Sequence, residues 1–320
     1  MKLIVIIPAY NEEDSIGTVV QSIPREFKDI NEVAVVVVDD GSKDRTAELA
    51  RQAGAVVVSH TQNQGVGSAF NTGLVTSLEM GADIMVNIDA DGQFSPADIS
   101  LLITPILAGQ ADFVTGDRFT DDRGDLQKPE YMSAIKYWGN QRMAKLISLL
   151  SDKKFNDVSC GFRAYSKEAL LRLNLLGKFT YTQESFLDLA NKGVKIKSIP
   201  VNVKYFPERK SRVAGNILKY MVQTLKIILR VYRDYKPMRF FGMLGMVPFV
   251  VGFGCAIFMV IHYLLTGAFT PYKIIGFAGI YLLTLSFLLW IVGLLADMFV
   301  RVRFTQEQVL YYEKKRQYLK

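Results

Sequence analysis

The first 203 residues predict an α/β domain built on a mostly parallel sheet, and the rest of the chain predicts an amphipathic helix followed by two transmembrane helices. Three observations carry this. Short β-rich runs alternate with helical stretches; polar clusters stand directly after several of those runs; and two long stretches near the C-terminus hold no charged residue.

Leu3–Ile7, Val33–Val38, Ala55–Ser59, Ile84–Ile88, Phe113–Thr115 and Ile196–Pro200 read as strands, with helices over Ser15–Ile23, Asp44–Ala53, Val66–Met80 and Pro96–Ala108 between them. Strands that are apolar almost throughout are buried on both faces, as in a parallel sheet covered by helices. Leu3–Ile7 is too short for the core of a signal peptide, and Pro8 is expected to end it. In such sheets ligands bind beyond the carboxyl ends of the strands, where the polar clusters fall here.

The charge-free stretches Phe240–Leu265 and Ile274–Ala296 would extend roughly 39 and 34 Å as helices, enough to cross a hydrocarbon layer about 30 Å thick. Basic residues crowd both outer flanks (Lys219, Lys226, Arg230, Arg233, Lys236 and Arg239 before, Arg301, Arg303, Lys314, Lys315 and Arg316 after), while the link from Thr266 to Lys273 holds one lysine. The bias places both termini and the first domain on the cytoplasmic side. The domain boundaries expected are 1–213, an interfacial helix over 214–237, a hairpin over 238–300 and a basic tail over 301–320.

The whole chain of 320 residues carries a net charge of +7, yet residues 204–239 alone hold ten basic residues and two acids. In Asn216–Tyr235, Lys219, Gln223, Lys226, Arg230 and Arg233 fall at steps of four and three, one polar stripe on an otherwise apolar helix. That pattern fits a helix lying on an anionic membrane lipid surface, or else a domain helix with a solvated face. No recognition motif accompanies the charge, so no nucleic acid partner is expected; a homo-oligomer stays open. Two cysteines and two histidines (His60, His262) exclude a disulfide scaffold, a zinc site and a multi-histidine metal centre, and leave a Ser–His–Asp mechanism only His60.

The first strand leads into Pro8-Ala9-Tyr10-Asn11-Glu12. Tyr10 offers a flat face and Glu12 an acceptor, suited to a nucleobase and ribose, or to an ordinary strand-to-helix turn. After the second strand come Asp39-Asp40-Gly41-Ser42-Lys43-Asp44; adjacent carboxylates there must be solvated, paired or bound, and Asp44 suits a cap on the next helix. Asn63-Gln64-Gly65-Val66-Gly67 lacks the third glycine of a dinucleotide loop and a Walker lysine, so it reads as a tight turn.

Asp89-Ala90-Asp91-Gly92-Gln93 follows a buried strand directly. Alternation in an extended segment would put Asp89, Asp91 and Gln93 on one side, with oxygens suited to Mg2+ or Mn2+. Anion-binding candidates follow: Arg118 after another strand, Arg163 in Asp157–Arg163 (at a phosphate or paired to Asp157), Glu184 at a helix start as a catalytic or a capping acid, and Arg209 and Arg212 in RKSR. Around one metal motif beside a membrane, they suggest two phosphate-bearing ligands.

In the order PAYNE, VDDGSKD, DADGQ, GDR, SCGFR and RKSR, these motifs resemble the family 2 glycosyltransferases, specifically the polyprenyl-phosphate glycosyltransferases related to dolichyl-phosphate mannose synthase. The resemblance covers essentially the whole chain. It implies a GT-A fold, a nucleotide sugar donor, a polyprenyl phosphate acceptor and inverting transfer. By resemblance, Pro8, Tyr10, Glu12 and Asp40, with Asp39 and Ala90, hold the nucleotide sugar; Asp89, Asp91 and Gln93 hold the metal and diphosphate; Arg209 and Arg212 close over that diphosphate; and Arg118, Lys128, Lys136 and Arg163 face the acceptor phosphate. The family's closing RxxGxSK is shortened here to RKSR, and its GKG is Gly65-Val66-Gly67. A hexosyltransferase acting on a lipid or glycan hydroxyl, and a non-catalytic membrane scaffold, are the competing readings. A UDP-hexose is favoured over GDP-mannose by resemblance.

Overall fold

Buried aliphatic runs build the sheet that the sequence foretells. The computed structural model describes residues 1–121, 123–151, 153–175, 181–204, 226, 229–230 and 232–318. They divide into two compact units, Met1–Gly215 together with Leu310–Lys320, and Asn216–Val309.

In the first unit seven strands run in the order β3-β2-β1-β4-β6-β5-β7: β1 (Lys2–Ala9), β2 (Glu32–Asp39), β3 (Val56–Ser59), β4 (Ile84–Asn87), β5 (Phe113–Asp117), β6 (Arg163–Ser166) and β7 (Ile196–Pro200). All are parallel except β6, which runs antiparallel between β4 and β5. Leu3, Val5 and Ile7 of β1 form one core with α1 (Ile16–Ser22), α2 (Thr46–Gln52) and α4 (Ile99–Leu107). On the other face Ile6 meets α3 (Val66–Glu79) at Gly73. Each fully buried aliphatic side chain contributes roughly 1.5–3 kcal/mol, so β1, buried from Leu3 to Ile7, anchors the unit.

Pro8 does not end β1, which pairs with β2 as far as Ala9↔Asp39. Pairing with β4 stops at Ile6↔Asn87, so the missing N–H of Pro8 lies where β1 is open on that side and proline is tolerated. Two helices beyond the expected set appear, α5 (Ala134–Ser151) and α6 (Lys167–Arg172), and the helix start expected at Glu184 is that of α7 (Tyr181–Asn191).

The second unit contains α8 (Pro237–Thr266), and α9 (Lys273–Tyr318) passes from it into the first. Both are long and apolar enough to cross a membrane. Small residues let them approach closely: a Cβ on Gly252 would lie 2.9 Å from the carbonyl oxygen of Gly279, the close contact typical of helix pairs in lipid. Ser286 adds a hydrogen bond to the carbonyl of Gly245 at 2.8 Å. The basic tail expected over 301–320 is no separate element, since up to Tyr318 it continues α9. At its end, in the first unit, the Tyr311 hydroxyl donates to Glu168 and Lys314 Nζ to the carbonyl of Leu173. Most of the expected interfacial helix, with Lys219 and Gln223, lies outside the described residues; 226, 229–230 and 232–235 are helical.

Candidate active site

Strand register brings the motifs to one end of the sheet. Ala9 pairs with Asp39 and Ile6 with Asn87, so the turns after β1, β2 and β4 leave side by side. Hydrogen bonds then knit the first two together. Asn11 N donates to Ser42 Oγ at 2.9 Å, Glu12 N to Thr46 Oγ1 at 2.8 Å and Lys43 N to Asn11 Oδ1 at 2.9 Å. Asp44 accepts from the backbone and hydroxyl of Thr46, but it is not the cap expected of it, since the N-cap of α2 is Arg45 and no side chain caps it. Pro8, Tyr10 and Glu12 are all partly exposed at this junction.

Asp39 and Asp40 divide their work. Asp39 Oδ1 accepts from Ser42 N at 3.0 Å. Asp40 accepts from His60 Nδ1 at 2.7 Å, Gln64 N at 2.9 Å and Gly65 N at 2.8 Å. Three of its roughly four acceptor positions are filled, and the residue is buried. Asp40, expected at the nucleotide, instead fastens the loop that starts α3. His60 is held there too, its Nε2 2.9 Å from Thr72 Oγ1. Sequence reasoning missed this because the partners lie at least 20 residues away.

Asp89 and Asp91 come together through a turn at 90–91 rather than by strand alternation, with Gln93 N donating to Asp91 Oδ1 at 3.0 Å. Ala90 is buried in the core, and Gln93 is partly buried. Burial, and then the charge of Asp91, push the Asp89 carboxyl up to about 6, with Glu12 adding to the rise and Arg118 and Arg163 opposing it. A metal fits this donor set. Two carboxylates are held close enough to repel, which a hard cation relieves, and an amide stands two residues on. Among the described residues no group of three or more His, Cys, Asp or Glu forms a cage, so most coordination positions would fall to phosphate oxygens and water.

The arginines separate sharply. Arg118 meets Asp157 in a two-pronged pair, Nε to Oδ2 at 2.6 Å and Nη2 to Oδ1 at 3.0 Å, and adds Ser159 Oγ at 2.8 Å. Burial alone would raise the Asp157 carboxyl, but Arg118 and the Ser159 backbone N–H together outweigh it and hold the group below its ordinary value. Arg163, by contrast, is fully buried. It donates to the carbonyls of Cys160, Thr182 and Val158 and to Ser185 Oγ, and lies 4.8 Å from the Phe186 ring centre. Neither reading of Arg163 holds, because this guanidinium braces the turn before β6 against α7 instead of reaching a phosphate or Asp157.

Lys136, near the start of α5, joins the site. Burial, and then Arg118, depress its amine, while Asp91 opposes them. Lys128 is exposed, and no hydrogen bond or ion pair among the described residues holds it. Glu184 lies in the first turn of α7, partly buried, and Tyr181 of that turn stacks on Phe70 with ring centres 4.4 Å apart. Asn87 Nδ2 donates to the Gly161 carbonyl at 2.6 Å, tying β4 to the turn before β6. Neither Asn87 nor Tyr181 stands out in the sequence; a buried asparagine closing the apolar run Ile84-Met85-Val86 is the one available signal. Arg209 and Arg212 lie outside the described residues.

Residues 4–173 match the model of glycosyl transferase family 2, over half of the chain. The chain belongs to that family. This glycosyltransferase is 34% identical to UDP-N-acetylglucosamine–dolichyl-phosphate N-acetylglucosaminyltransferase of Methanococcus voltae, over 62% of this chain and 84% of that one. It is 26% identical to polyprenol monophosphomannose synthase of Mycolicibacterium smegmatis, over 68% and 83%. Its fold is GT-A-like and matches the crystal structure of glucosyl-3-phosphoglycerate synthase from Mycobacterium tuberculosis in complex with uridine diphosphate, with a TM-score of 0.55 and 24% identity over 71% of this chain and 79% of that one. The family match takes in Asp39, Asp89, Asp91, Arg118 and Lys136, while Glu184 and the RKSR segment fall beyond it.

Proposed function

We propose that this glycosyltransferase transfers a hexosyl group from a nucleotide sugar to the phosphate of a polyprenyl phosphate, with inversion, at a divalent-cation site on the cytoplasmic face of a membrane. One observation carries the reading: the Asp89–Asp91 carboxylate pair stands beside a cationic group, Arg118 and Lys136, with Lys136 sensing both Arg118 and Asp91. Two charge clusters of opposite sign suit a cation-bound diphosphate on one side and a phosphate nucleophile on the other. The activities for which the Methanococcus and Mycolicibacterium relatives are named, both on polyprenyl-type lipids, support it. The two apolar helices and their basic flanks support the membrane and its sidedness.

A lipid phosphate monoester, with a second pKa near about 6, is largely dianionic at neutral pH, so it attacks the anomeric carbon without a general base. Lys136 orients it, and Asp157 fixes Arg118 for the same purpose. Tyr10 and Asp39 bound the nucleotide side, and Glu12 stands near Asp89. Bound on Asp89, Asp91 and Gln93, Mg2+ or Mn2+ would supply Lewis-acid stabilisation of the departing diphosphate. Arg209 and Arg212 would add charge there. Glu184 orients a sugar hydroxyl or an arginine. Attack opposite the leaving group inverts the anomeric centre. The relative with the higher identity uses a UDP-sugar, which favours a UDP-hexose over GDP-mannose.

Radiolabelled UDP-hexoses and GDP-mannose, each offered with polyprenyl phosphate or with a hydroxyl acceptor, test the reading. The expected product is a mild-acid-labile lipid formed only with the phosphate. Transfer to the hydroxyl acceptor alone would overturn it.

A further inference from the structure

Helix α5 carries a second surface that the transfer reaction does not use. Its inner side packs through Asn140, Met143, Ala144, Ile147 and Leu150. Its outer side presents Ile135, Trp138, Arg142, Lys145 and Leu149, all exposed. Steps of three, four, three and four place these five within about 80° of arc along roughly 21 Å of helix. Trp138 is 56% exposed and Leu149 64%, far from the burial such side chains normally find. The Arg142 guanidinium lies 5.1 Å from the Trp138 ring centre, so the cation and the aromatic form one unit.

We infer that this face of α5 docks on an anionic lipid bilayer. The helix contains Lys136, Arg142 and Lys145 and no acidic residue. A surface that mixes tryptophan, branched aliphatics and long basic side chains matches the interface: ring and aliphatics enter the headgroup boundary while the basic ends reach lipid phosphates. A second copy meeting the same face about a two-fold axis would set Arg142 and Lys145 against their own counterparts, which like charge disfavours. The chain also carries two apolar helices long enough to span a membrane, so a bilayer is the partner at highest local concentration. The inference needs neither the donor nor the acceptor assigned above.

The protein has two tryptophans, Trp138 and Trp290. Trp290→Phe, as full chain in vesicles containing anionic lipid, leaves Trp138 as the reporter. Expected are blue-shifted emission, loss of about half of it or more to brominated acyl chains, and reversal of both on adding Arg142→Glu with Lys145→Glu. Should Trp290→Phe fail to fold, Leu149→Cys with Cys255→Ser and a spin label, Trp290 intact, reads the same face; greater accessibility to oxygen than to a water-soluble nickel chelate is expected. Red-shifted emission indifferent to brominated lipid, or a label more accessible to the chelate, overturns the inference. So does blue-shifted emission that brominated lipid leaves unquenched, which would identify a second copy as the cover.

Discussion

Gly161 lies directly against the Asp89 carboxylate: a Cβ at position 161 would stand 2.6 Å from Oδ1 and 2.7 Å from Oδ2. The same residue takes the Asn87 amide on its carbonyl. The turn before β6 is therefore the wall that fixes where Asp89 points. Gly161→Ala has to push that carboxylate aside, and displacements near 1 Å cost about 100-fold in rate. We expect a loss of that order in sugar transfer with the melting temperature little changed, read by initial rates and thermal unfolding of the same preparation.

Asp157 gathers Arg118, Ser159 and Cys160 around one buried carboxylate. Asp157→Ala removes the two-pronged partner of Arg118 and the acceptor for the Ser159 and Cys160 N–H groups, at a cost of roughly 3–5 kcal/mol. Chemical denaturation should show it as a lowered midpoint with an unchanged slope.

The same pair sets a pH dependence. The Asp157 carboxyl is held below its ordinary value of 3.8 by Arg118 and the Ser159 backbone N–H, against the opposing push of burial. A carboxyl depressed in the folded state adds stability that is complete above the unfolded value and fades as pH falls through the folded one. The stability gap between wild type and Asp157→Asn should hold constant from neutral pH to about 5 and close only below about 4. A gap closing between pH 5 and 7 would count against the pairing.

Lys136 should matter to the acceptor more than to the donor. A hydrogen bond to a charged group contributes about 1.5–3 kcal/mol, so Lys136→Gln should raise the KM for polyprenyl phosphate by roughly 10- to 100-fold, with the KM for the nucleotide sugar nearly unmoved. An equal rise in both would remove Lys136 from the acceptor side.

Cys160 is buried, and burial pushes its thiol up to about 12. It should resist maleimide in the native protein at neutral pH and react once the chain is unfolded, as mass spectrometry of the Cys255→Ser variant would show.

How far the sequence could be read follows from which interactions are local. β1, β2 and β4 announce themselves through unbroken aliphatic runs, and Asp89 and Asp91 through their place after one of them. β6 does not, because Arg163-Ala164-Tyr165-Ser166 is four residues of no β pattern, held by β4 and β5. Its antiparallel register decides the fate of two arginines. Thr115 pairs with Arg163, which sets Arg163 inside the sheet, while Arg118, three residues further along, passes the end of β6 and meets Asp157. Asp40 escapes a local reading for the same reason, since its donors come from His60, Gln64 and Gly65. Lys136 was nameable, but its neighbours Arg118 and Asp91 become visible only once α5 is placed.

In the function proposed, departure of the nucleoside diphosphate depends on a divalent cation gripped by Asp89 and Asp91 together. Asp91→Ala tests it most directly, assayed for sugar transfer over a titration of Mg2+ and Mn2+ beside a thermal-unfolding control. The variant should stay folded and lose transfer at every metal concentration; near-wild-type turnover on adding Mg2+ or Mn2+ would show that the cation is not held there.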